Sequence, residues 1–106
     1  MDISDWRRKI DEVDRKLAAL LNERASAAIE IGRLKRVAKM PIYEPEREKD
    51  VIANVQSSSA GPLGSRDLAR IYERLLDVMR SIQGHEIAPE SPPRGHDTEI
   101  DSRVED

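Results

Sequence analysis

Between Ser4 and Ala38 the chain contains no proline and a single glycine, Gly32. Over that stretch Ile10, Val13, Leu17, Leu20, Ala27, Ile31 and Leu34 recur at the three- and four-residue spacing of one helix face. Ser4 is placed to cap such a helix and Pro41 lies just beyond its end. At 1.5 Å per residue the helix is on the order of 50 Å long, more than one small domain can cover. It must lie against another chain or project from its own.

The rest of the sequence adds little to cover it with. Phenylalanine is absent, aromatic residues make up 3% and charged residues 37% of the 106 residues. Leu, Ile, Val and Ala therefore supply a thin core, and a partner subunit would help to complete it. Pro45 suits the first turn of a second, short helix, with Glu44 where a capping acid is favourable and Val51, Ile52 and Val55 as its apolar stripe, ending near Gln56. Residues 57–64, SSSAGPLG, read as a loop. Ser65 is then expected to cap a third helix of intermediate length with Leu68, Ile71, Tyr72, Leu75, Leu76, Met79 and Ile82 on one face, stopped by Gly84. The expected fold is all-α, with three helices in one domain over residues 1–86. Residues 87–106, rich in Pro, Ser, Gly and acids, are expected to form a disordered acidic tail.

Charge and composition narrow the function. Residues 86–106 hold seven acids against Arg94 and Arg103, a charge of −5 that leaves only +2 on residues 1–85. That excess is too small and dispersed for a nucleic-acid surface but tolerates an anionic ligand. Without cysteine there are no disulfides or thiolate metal sites, and two histidines beside glycines make a poor ligand set, so no metal is expected. No segment has the apolar length of a signal core or a membrane span, and a cytoplasmic location with no membrane contact is expected.

Several polar residues interrupt the apolar stripes. Arg24 lies seven residues from both Leu17 and Ile31, which puts a guanidinium in the core-facing row of the first helix. A buried cation needs an anion, supplied by a neighbouring acid such as Glu23 or by a ligand. Lys35, eleven residues later, is rotated by only about 20° and displaced by about 16 Å, so the two side chains can lean toward one place. Near a helix end a lysine also has an ordinary reason to be present. Gln83 interrupts the third helix after Leu76 and Met79, and Arg47 and Glu48 fall in the first turns of the second. Each has an ordinary explanation alone; one shared anionic ligand accounts for them together.

The order of these residues resembles the all-helical class of chorismate mutases. The chain carries Arg7-Arg8-Lys9-Ile10-Asp11-Glu12-Val13-Asp14, Leu21-Asn22-Glu23-Arg24, Gly32-Arg33-Leu34-Lys35, Pro41-Ile42-Tyr43-Glu44-Pro45-Glu46-Arg47-Glu48 and Gln83. These match, in order and spacing, the family's R-x-x-I-D-x-x-D, L-x-x-R, G-x-x-K and P-[IV]-x-[DE]-x-x-R-E motifs and its closing glutamine over about residues 4–84. The resemblance implies an intertwined helical homodimer with two equivalent sites. It also implies conversion of chorismate to prephenate by a Claisen rearrangement, toward phenylalanine and tyrosine, with no cofactor. It assigns substrate binding to Arg7, Arg24, Arg47 and Glu48, with Glu44 lining the site, and catalysis to Lys35 and Gln83. Met79 stands where the family often has a serine able to hydrogen-bond a substrate carboxylate, and a thioether cannot donate that bond. Arg7 and Arg24 are seventeen residues apart, about 25 Å along one helix, so Arg7 would come from the partner chain. Two other readings compete: an isochorismate-pyruvate lyase of the same fold, and a non-catalytic helical dimerisation module. The acidic Glu48 looks more like the mutase, and the module leaves Arg24 with Gln83 unexplained.

Overall fold

The computed structural model describes residues 1–85, and the expected tail lies outside them. The first helix, α1, spans Ile3–Ala38, α2 spans Pro45–Ser58 and α3 spans Ser65–His85. The described residues contain no strand, as the helical periodicity requires. None of their helices is long and apolar enough to cross a membrane.

The ends of the helices differ from the sequence expectation in instructive ways. Asp2, not Ser4, caps α1: its carboxylate accepts the Asp5 N–H at 3.0 Å, and Asp5 accepts the Asp2 N–H at 3.1 Å. This reciprocal box satisfies two otherwise orphan donors. At the other end Lys39 takes a left-handed conformation, φ 60°, while the Met40 N–H reaches back to the Lys35 carbonyl at 2.8 Å. That reversal turns Pro41 and Ile42 back toward the helix they have just left. Pro45 begins α2 as expected, but Glu44 makes no side-chain capping bond and α2 runs to Ser58 rather than Gln56. Ser65 is the first residue of α3 rather than its cap, and α3 runs to His85, one residue past Gly84.

Helix α3 packs against both α1 and α2, and the Gln56 side chain ties the end of α2 to the Ser65 carbonyl at 2.9 Å. The α1–α3 contact is closest at Gly32, where an added β-carbon would stand 3.2 Å from Cβ and Cγ of Gln83. Only glycine lets α3 approach this near without a shift. The assembly is long and flat, 53 × 36 × 18 Å, with a radius of gyration of 16.6 Å. A compact chain of this many residues would have about 12 Å.

The reason is the N-terminal half of α1. Ile10, Val13, Leu17 and Leu20 are all exposed, as is Ile31, so the apolar row that was expected to be core-facing is open in a single chain. The described residues that are buried gather at one place, where α3 crosses the C-terminal half of α1. They are Ala28, Gly32 and Lys35 on α1 and Leu76, Met79 and Gln83 on α3.

Candidate active site

A cleft of about 400 Å³ opens directly above this buried cluster. Its α1 wall carries Arg24, Ala28, Ile31 and Lys35, which share one face through three- and four-residue spacing. Its α3 wall carries Leu76, Met79, Arg80 and Gln83, and the start of α2 closes a third side with Glu44, Arg47 and Glu48. The arrangement follows from the chain reversal at Lys39, which delivers the Ile42–Glu48 segment opposite the last turns of α1.

Lys35 is only 8% exposed, although it stands in the last turn of its helix. Its Nζ donates to the Ile42 carbonyl at 2.9 Å and to Oε1 of Glu44 at 2.8 Å. An ammonium has three N–H donors, so one remains while the other two fix the head group. Glu44, expected as a helix cap, is instead the counter-ion of Lys35. Gln83 is equally buried, and its Nε2 donates to the Ala28 carbonyl at 2.9 Å. An amide nitrogen carries two N–H groups, so again one is held by backbone and one is left over.

Arg24 and Arg47 are different. Among the described residues no hydrogen bond or ion pair engages either guanidinium. Arg24 is half-buried, so the ion pair with Glu23 that would have explained it is not made. Glu48 is fully engaged on one side: Nη1 of Arg80 lies 2.9 and 2.7 Å from its two carboxylate oxygens. Arg80 also pairs with Asp77 and lies over the Tyr43 ring, 4.9 Å from its centroid. Among the described residues that line the cleft, four cations (Arg24, Lys35, Arg47 and Arg80) face two carboxylates (Glu44 and Glu48), a surplus of two positive charges.

Of the residues singled out in the sequence, Arg24, Lys35, Glu44, Arg47, Glu48, Met79 and Gln83 meet around this one cleft. Arg7 does not; it lies near the far end of α1. Met79 is buried and contributes apolar surface where a hydroxyl was considered. Sequence reasoning missed Arg80. A position three residues before Gln83 shares its side of the helix, but nothing in the sequence shows the partners Glu48 and Tyr43, which belong to another segment.

The family model for chorismate mutase type II matches residues 6–84. The bifunctional chorismate mutase/prephenate dehydratase of Aquifex aeolicus is 30% identical over 86 residues, covering 77% of this chain but 24% of that protein. The chain thus spans about a quarter or less of the length of the first curated relatives it matches. The chorismate mutase of Methanocaldococcus jannaschii is 37% identical over 82 residues, 76% of this chain and 83% of that one. Among solved structures, chorismate mutase from Helicobacter pylori in complex with prephenate superposes with a TM-score of 0.77 at 25% identity, covering 84% of this chain and 97% of that one.

Proposed function

The chain belongs to the type II chorismate mutase family, and on that premise we propose that it converts chorismate to prephenate in the cleft between α1, α2 and α3. The observation that carries the reading is the pair of arginines, Arg24 and Arg47, without partners among the described residues, in a cleft whose other cations are already matched to acids. Chorismate is a dianion, and two forked guanidiniums suit two carboxylates. The surplus of two positive charges balances it. The prephenate held by the Helicobacter pylori relative is a dianion of the same size.

The rearrangement needs no nucleophile and no proton transfer. Catalysis consists of holding the folded conformer and stabilising the charge that grows on the ether oxygen as the carbon–oxygen bond breaks. Lys35 and Gln83 are suited to that task, since Lys35 is held by the Ile42 carbonyl and the Glu44 carboxylate, Gln83 by the Ala28 carbonyl, and each keeps one N–H unspent. Donors fixed beforehand need not reorganise as the bond breaks, so they favour the transition state over the ground state. Glu48 accepts from the ring hydroxyl. The site is completed by Arg7 from a second copy of the chain, whose α1 covers the exposed Ile10–Leu20 stripe.

Mixing the purified protein with chorismate and following its loss of absorbance, with chromatographic identification of the product, tests this. Prephenate is expected. Release of pyruvate from isochorismate without chorismate turnover identifies the lyase instead, and inertness toward both contradicts an enzymatic role.

A further inference from the structure

Glu48 is an unwelcome group for a cleft that takes a dianion, since its carboxylate lines the same wall as Arg47. Alone it would repel the ligand it has to orient. We propose that Arg80 is a positioning residue that makes Glu48 usable: it holds the Glu48 carboxylate at one edge and offsets its charge, while leaving the remaining lone pairs to accept the ligand's hydroxyl. The proposal rests on the chorismate reading above and assigns a function to a residue outside the set singled out in the sequence.

Three observations separate Arg80 from a ligand-binding arginine. Its Nη1 is within 2.9 Å of both Glu48 oxygens, and Nη2 is taken by Asp77. One cation thus stands between two carboxylates, with no charge to spare for an incoming anion. The face of its guanidinium is covered by Tyr43 at 4.9 Å. Arg24 and Arg47, by contrast, have no such partners among the described residues.

The geometry is also selective. The Nη1 contact spans from α3 to the first turn of α2, a sequence separation of 32 residues, so it fixes Glu48 relative to Gln83, which lies one turn along the same helix. A ring hydroxyl seated on Glu48 is thereby held at a set distance from the Gln83 amide. A ligand lacking that hydroxyl meets a carboxylate with nothing to accept from.

The test compares wild type with Arg80→Met, Arg80→Lys, Glu48→Gln and the double variant Arg80→Met/Glu48→Gln in steady-state chorismate turnover. If Arg80 acts through Glu48, Arg80→Met lowers kcat/KM by about ten-fold or more alone and by less than about two-fold in the Glu48→Gln background. Arg80→Lys keeps the cation and loses the fork; it is expected to retain KM better than kcat, and it supplies the answer if the methionine variant does not fold. An equal loss in both backgrounds overturns the proposal, because Arg80 would then touch the ligand itself. Unchanged kcat and KM with only a lower melting temperature also overturns it, reducing the pair to a staple between α2 and α3. Absence of turnover in the wild type contradicts the proposed reaction rather than the linkage. The linkage is then read from calorimetric prephenate binding to wild type, the two single variants Arg80→Met and Glu48→Gln, and the double variant, where non-additive losses of affinity support it and additive losses, or no binding to wild type, overturn it.

Discussion

Gln83 meets α1 at the one position where α1 has no side chain, and much of the site follows from that contact. A β-carbon at Gly32 would sit 3.2 Å from two Gln83 atoms, so α3 would have to move by a few tenths of an ångström. Gly32→Ala gains up to about 1 kcal/mol of helix propensity but overpacks a contact where such changes cost about 1–3 kcal/mol. The expected outcome is a small loss of stability with a larger loss of kcat, as the Gln83–Ala28 bond is pulled out of line; melting curves and turnover measured together check it. Gln83→Glu tests the donor itself. A carboxylate repels developing negative charge whereas its protonated form donates, so this variant should be poor at neutral pH and recover as the pH falls. Wild-type activity in Gln83→Glu at pH 8 would remove Gln83 from the role proposed for it. Gly32 was legible as part of a motif, but its physical reason was not, because it depends on a residue 51 positions away. Arg80 was illegible for the same reason: its partners Glu48 and Tyr43 belong to another segment.

The helices were legible as periodic runs between proline-bearing segments, whereas their ends were decided by competition between neighbouring candidates. Asp2 and Ser4 can both cap, and Asp2 prevails because Asp5 stands three residues on and returns the bond. The third helix runs to His85, one residue past Gly84, within the spread of one or two residues that any helix end carries. The Lys39 reversal was invisible, because a lysine carries no turn signal. It is also improvable. A side chain at φ 60° carries a penalty of about 1–2 kcal/mol that glycine avoids. After the larger backbone entropy of glycine in the unfolded chain is subtracted, Lys39→Gly should stabilise the fold by about 0.5–1 kcal/mol. Chemical denaturation measures this directly. Activity should be unchanged, since it is the backbone of this turn that returns Ile42 to Lys35.

At the scale of the whole molecule, the length of α1 and the thin apolar inventory already signalled a chain that does not close on itself. The flat shape and exposed Ile10–Leu20 stripe are the structural form of that signal. A single chain gathers seven of the eight residues singled out around one cleft and leaves Arg7 remote, so on the proposed reading each site needs two chains. Co-refolding equal amounts of inactive Arg7→Ala and Lys35→Ala chains is the most direct test. In a heterodimer one of the two sites has both residues intact, so random pairing should restore about a quarter of wild-type chorismate turnover. A mixture as inactive as its parents, with chain exchange verified by mass spectrometry, would contradict a site shared between two copies.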